Sequence, residues 1–273
     1  MPETGLILAM AAMLLAIGAV AGVLAGLLGV GGGIVLVPAF FYAFSVLGYE
    51  GPMLMQLCLG TSLATIIVTS VRSVLAHHRK GAVEWDILKS WAPGIAVGAV
   101  IGVIVAARLR SDVLQALFGG LALLVAVYML LGRSEWRLGQ AMPRGWLRAV
   151  LSTLVGGLSV LMGIGGGSFG VPLMSLHGVP IHRAVATAAG FGLAIAVPSV
   201  LGFLMLELPE ETRPPFTLGA VNGVAFVLII AMTLITAPWG AALAHRLDAR
   251  PLKRVFGVFL LAVAVNMIWE ALG

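Results

Sequence analysis

Two decapeptides concentrate the residues most able to do chemistry. Residues 29–38 read GVGGGIVLVP and residues 163–172 read GIGGGSFGVP, 134 positions apart. Each holds a glycine triplet, Gly31-Gly32-Gly33 and Gly165-Gly166-Gly167, with Pro38 and Pro172 five residues after the last glycine. Each glycine lowers helix stability by roughly 1 kcal/mol relative to alanine. Glycine also admits left-handed backbone angles and close approach, and proline adds a second restriction. A helix starting just after such a break presents unpaired N–H groups and the positive end of its dipole, which together make an anion site. Ser168 adds a hydroxyl in the second copy; the first has Ile34 there, so the site need not be symmetric. Gln56, Thr61, Ser62 and Thr187 open or lie within the adjacent apolar segments and are candidate lining groups.

Two competing readings of the glycines have to be weighed. Small residues also let membrane helices pack closely, but a duplicated GxGGGxxxxP favours paired interrupted segments that line a transport site. Gly165-x-Gly167-x-x-Gly170 satisfies G-x-G-x-x-G, yet no acidic residue follows about 20 positions on, so a dinucleotide site is rejected. There is no G-x-x-x-x-G-K-[ST] loop for phosphate binding either.

The elements that must position these residues are set by composition. Of 273 residues, 60% are hydrophobic; 16 are Lys or Arg and 11 are Asp or Glu, a net charge of +5. A soluble domain of this length would carry roughly 68 charged residues at about 25%, so a polytopic membrane protein remains. Charge-free runs cover 4–49, 51–71, 90–107, 113–132, 149–182, 184–206, 214–245 and 255–269. In lipid the backbone must satisfy its own polar groups, so these runs predict helices. The expected segments are 5–28, 34–48, 54–76, 88–107, 113–132, 148–163, 168–178, 184–206, 217–243 and 252–272. The 34-residue run 149–182 would be about 51 Å long as one helix, too long for one crossing of a core about 30 Å thick and short for two. A broken or re-entrant pair fits it.

The chain also repeats beyond the glycine motif. RLRSDVLQALFG at 108–119 aligns with RLDARPLKRVFG at 246–257, and QLCLGTSLA at 56–64 resembles AVATAAGFGLA at 184–194 more weakly. Each half holds five apolar segments, an odd number, so the second half would enter the membrane from the other side. The expected fold is therefore an all-α polytopic membrane protein of two inverted repeats, each with a Gly-broken or re-entrant helix pair plus three spanning helices. The first repeat is 1–132, the second 148–273, and 133–147 is a cytoplasmic linker. Placing the loops around 77–89, 133–148, 177–183 and 244–254 inside puts 12 of 16 cations there and leaves both termini outside, in the cell (inner) membrane.

The remaining polar residues mostly have plain readings. Arg72 lies close enough to a span end to snorkel. His77-His78-Arg79-Lys80 reads as an orientation signal. Asn222 and Asn266 suit helix pairing as well as substrate contact, and Trp85, Trp91, Trp136, Trp146, Trp239 and Trp269 read as interfacial anchors. No acid lies deep in a span, and no nucleophile–base pair or metal-ligand cluster is evident, so an enzyme is disfavoured and neither cofactor nor metal is expected.

The duplicated GxGGGxxxxP, with Gly60-Thr61-Ser62 in the first half, resembles the TauE/SafE sulfite exporter family over nearly the whole chain. That resemblance implies transport of sulfite, sulfoacetate or another organosulfonate. Gly190-Phe191-Gly192 lacks the hydroxyls of Thr61-Ser62, so it departs from a symmetric pair. The expected function is alternating-access transport of such an anion bound at the glycine breaks. An anion channel, or a carrier of another small carboxylate-type anion, is the alternative. The expected partners are the small anion and membrane lipid, with no nucleic acid; a homodimer is admitted as an assembly.

Overall fold

The computed structural model describes residues 2–28, 33–132, 136–244 and 249–272. Gly31 and Gly32 of the first triplet, and Arg133 and Arg246, lie outside the described residues. Ten α-helices occur among the described residues: α1 (Pro2–Leu28), α2 (Gly33–Val46), α3 (Leu54–Arg79), α4 (Trp85–Arg108), α5 (Ser111–Leu131), α6 (Gly145–Leu161), α7 (Gly167–Leu176), α8 (Ile181–Leu204), α9 (Gly223–Ala244) and α10 (Ala249–Leu272). By length and composition α3, α4, α5, α8 and the first 18 residues of α9 are apolar enough to cross a membrane. These boundaries match the expected segments within a few residues, with one exception. A helix expected from 217 begins only at 223, because Thr217–Leu218 and Val221–Asn222 form a two-stranded hairpin. Its turn places Gly219 at φ +56°, a left-handed angle that glycine adopts without steric cost. The Asn222 carboxamide then accepts the Ala225 N–H at 2.8 Å, an N-cap that starts α9.

Loop contacts define the two faces. Ser111 N–H donates to the Pro52 carbonyl at 3.0 Å, joining the α2–α3 loop to the α4–α5 turn. Gly51 packs on Thr212, which brings the 205–222 segment to the same end. At the opposite end, Leu138 N–H donates to the Leu176 carbonyl at 2.7 Å. There too the Glu84 N–H donates to the Thr187 hydroxyl at 2.9 Å. We call these the cap face and the linker face. Helices α3, α5 and α9 run from cap to linker, and α4, α8 and α10 run back.

The helices pack as α1 on α9, α4 on α6, α5 on α10, and α3 and α4 on α8. Small residues allow the closest of these approaches. A Cβ on Gly98 would lie 2.8 Å from the Thr153 Cα, one on Gly102 2.9 Å from the Gly157 carbonyl oxygen, and one on Gly18 2.9 Å from the Met232 Cβ. Phe40, Phe44, Trp91, Phe118, Phe191 and Phe203 are the largest fully buried side chains. Trp91 corrects an expectation. Near a span end it reads as an interfacial anchor, but it is 1% exposed and stacks on Phe191 with ring centroids 6.5 Å apart.

Candidate functional site: the break between α6 and α7

Helix α6 stops because Gly163 takes φ +58°. Its N–H bonds to the Val160 carbonyl at 2.8 Å, and the Ile164 N–H bonds to the Ser159 carbonyl at 2.9 Å, the pairing of a Schellman C-cap. The chain restarts at Gly167, with Gly166 as N-cap and no side chain capping the first turn. Ten residues later α7 is back at the linker face, where Leu138 and Gly139 both donate to the Leu176 carbonyl. Since α6 also begins there, at Gly145, the pair enters and leaves on one side. Helix α7 is about 15 Å long at 1.5 Å per residue, half of a hydrocarbon core of about 30 Å. The break therefore lies deep.

Three neighbours close around it. The start of α2 touches it directly: a Cβ on Gly33 would lie 2.7 Å from the Gly163 carbonyl oxygen and 3.0 Å from the Ile164 Cα. From α3, the Ser62 hydroxyl donates to the Gly163 carbonyl at 2.7 Å. From α8, Phe191 and Ala188 pack on Gly166, a Cβ there lying 2.7 Å from the Ala188 carbonyl oxygen. The Phe191 ring also abuts Gly170, a Cβ there meeting it at 2.8 Å. A Cβ on Gly165 meets only ordinary contacts, Ile66 at 3.4 Å and Gly192 at 3.8 Å. Close backbone approach thus explains Gly33 and Gly166 but not Gly165. Gly167 opens α7 and is half-buried.

Ser168, in the first turn of α7, is 7% exposed, and its hydroxyl has no partner among the described residues. Thr65, Thr69, Ser199, Thr233 and Thr236, in membrane-length helices, all turn their hydroxyls back to carbonyls three or four residues earlier. Ser168 has no helical carbonyl behind it, because residues 164–165 precede the helix. A buried unpaired polar group costs about 1–3 kcal/mol. Ser159, in the last turn of α6, is likewise buried with a partnerless hydroxyl. Reasoning from sequence overlooked Ser159, although it is one of the few hydroxyls in the apolar run. Donors dominate here: two hydroxyls and the uncapped amides of α7. No charged residue occurs in 159–170 or in the packing segments 33–40, 59–66 and 188–192. A cluster of donors without a carboxylate suits an oxyanion.

The other candidates have definite structural partners. Thr61 accepts the Asn222 N–H at 3.0 Å. Thr187 accepts the Glu84 N–H. Gln56 donates to the Ala106 and Leu109 carbonyls at 3.1 and 2.7 Å, tying the end of α4 to α3, while its own carbonyl oxygen stays buried without a partner. Among the described candidates, only Ser62, Gly33 and the second triplet with Ser168 gather at the break. Asn222, offered as a helix-pairing or substrate residue, organises the cap face instead. Arg72 is exposed on α3, as snorkelling requires.

Comparison with known proteins agrees with this architecture. The chain is 31% identical over 253 residues to a probable membrane transporter protein of Haemophilus influenzae, covering 93% of this chain and 96% of that one. It is 26% identical over 284 residues to the probable membrane transporter protein YunE of Bacillus subtilis, covering 95% and 98%. It is 30% identical over 272 residues to a probable membrane transporter protein of Xylella fastidiosa, with 93% of each covered. The family model described as sulfite exporter TauE/SafE matches residues 14–267. The chain therefore belongs to the TauE/SafE sulfite exporter family of membrane transporters.

Proposed function

We propose that this protein is a secondary carrier of a small sulfur oxyanion, sulfite or an organosulfonate such as sulfoacetate, received at the α6–α7 break. The observation that carries the reading is Ser168: a buried hydroxyl with no partner among the described residues, beside uncapped amides at a deep helix start. The anion accepts from that hydroxyl and from first-turn amides, assisted by the helix dipole. Sulfite offers three oxygens to such donors, and low local polarity strengthens each bond.

Alternating access follows from two halves of opposite topology. Corresponding helices α3 and α8, α4 and α9, and α5 and α10 run in opposite directions, which supports this plan. So does the packing. Exchanging the halves turns the α1–α9 pair into α6–α4 and leaves α3–α8 and α5–α10 unchanged. In this reading residues 1–132 and 148–273 rock against each other, the 133–147 linker is cytoplasmic and both termini are outside.

Ser168→Ala is the direct test, because alanine removes an unpartnered hydroxyl and leaves packing intact. Gly166→Val would also push on Phe191 and confound binding with folding. In proteoliposomes Ser168→Ala should lower sulfite flux about tenfold or more, since a hydrogen bond to a charged group contributes about 1.5–3 kcal/mol. Thermal stability should stay level or rise. Undiminished flux of sulfite and sulfoacetate in this variant overturns the site, and unitary current steps would replace the carrier by a channel.

A further inference from the structure

A cavity of about 670 Å³ opens at the linker face, outside the break. Arg144 and Arg148 from the start of α6 line it, together with His177, Glu84, Asp86 and Trp91. Two arginines and two carboxylates line it, and with Glu84 neutralised by Arg183 from outside the lining its net charge is positive. Glu84 is committed to an ion pair with Arg183. Asp86 sits in the first turn of α4, where the helix dipole favours an acid. Arg144 and Arg148 make no ion pair with any described residue. They also occupy the N-terminal end of a 17-residue helix, where like signs repel. His177 Nδ1 lies 2.8 Å from the Leu173 carbonyl, which only accepts. That nitrogen donates its proton there, which fixes the His177 ring against α7. Membrane orientation calls for cations at one face, but it does not call for two arginines without an ion pair to any described residue at the lining of one cavity. Trp91, one of its lining residues, stacks on Phe191, whose Cβ and ring pack on Gly166 and Gly170 of the break.

We propose that this vestibule is an entry site for the carried oxyanion, held by the Arg144 and Arg148 guanidiniums, one aromatic stack away from Ser168. The proposal rests on the carrier reading given above. Paired guanidiniums recognise sulfonate and sulfite oxygens as they do carboxylate and phosphate. A concave site with an excess of positive charge raises the local anion concentration. A phospholipid phosphate has the same chemistry, so the experiment must separate the two sources.

The full chain in neutral detergent is titrated calorimetrically with sodium sulfite and with sodium methanesulfonate at constant ionic strength. The wild type and Ser168→Ala should both retain a binding event that the double variant Arg144→Gln/Arg148→Gln weakens at least tenfold. Arg144→Lys/Arg148→Lys should recover most of it. In phosphatidylcholine proteoliposomes the glutamine double variant should raise the half-saturation concentration for sulfite about tenfold, chiefly there rather than in maximal flux. Wild-type binding and half-saturation in the glutamine variant would overturn the vestibule site. Arginine-dependent binding of phosphatidylglycerol, with sulfite binding unaffected by the substitutions, would assign the cavity to a lipid headgroup and overturn it equally. If Ser168→Ala carries sulfite normally while arginine-dependent binding persists, the break fails as the site and the vestibule stands.

Discussion

The two ends of the helix bundle handle their loops in opposite ways. At the linker face the helices part around a cavity edged by Glu84, Asp86, Arg144 and Arg148. At the cap face residues 205–222 fold back over the helix ends. Ala220 sits directly on Gly60, and its N–H bonds to the Phe203 carbonyl at 2.8 Å. The Asn222 carboxamide donates to the Pro215 carbonyl at 2.9 Å and the Thr217 hydroxyl at 2.8 Å, and its backbone N–H reaches Thr61 on α3. Each face carries partly exposed ion pairs, Glu84–Arg183 at the linker face and Arg110–Asp112 and Arg213–Glu210 at the cap face, but the cap face adds the buried hydrogen bonds of Asn222. Buried hydrogen bonds are costly to break, whereas exposed ion pairs contribute little. The Asn222 bonds are therefore expected to contribute more to stability than the ion pairs at either face.

Substitutions can break or sharpen that contrast. The largest effect is expected from Gly60→Val, whose side chain would collide with the Ala220 carbonyl and lift the cap. Overpacking of this kind costs about 3 kcal/mol or more, read as a lowered unfolding midpoint in detergent. Asn222→Ala removes three side-chain hydrogen bonds and should cost about 2–3 kcal/mol. Asn222→Asp keeps the acceptor for the Ala225 N–H and should recover part of that loss. Thr61→Val leaves the Asn222 N–H unpaired and should cost about 1–2 kcal/mol. The smallest effect belongs to Glu84→Gln, which breaks the partly exposed pair with Arg183 and should change stability by less than about 1 kcal/mol. If Glu84→Gln lowered the midpoint as far as Asn222→Ala, the distinction between the two ends would collapse.

The helices were legible because the signal is strong. Long charge-free runs have one solution in lipid, and nine of the ten expected segments begin within three residues of the observed helices. The hairpin at 217–222 was hidden because Thr217–Asn222 is uncharged and runs straight on into the apolar helix, and only the Gly219 backbone angle and the Asn222 cap separate them. The break between α6 and α7 was legible from glycine spacing, and the same motif singled out Ser168 as a candidate. The partners of Thr61, Thr187 and Gln56 were not. Each bonds a backbone group from 50 to 161 residues away, a pairing that only tertiary structure decides. Trp91 misled for the same reason: position along the chain suggested an interface, while the packing of α4 on α8 buried it.

The ten-residue α7 has a consequence for how the polypeptide is assembled. Such a segment is too short to be retained by lipid as a span of its own. What holds it is protein, namely Phe191 and Ala188 on α8, made after it, and the 138–141 stretch made before it. During synthesis α7 must wait near the surface until α8 has been threaded, and only then sink into its seat. Weakening the Gly166–Phe191 contact would leave the nascent hairpin stranded at the interface, a biogenesis defect and not a kinetic one.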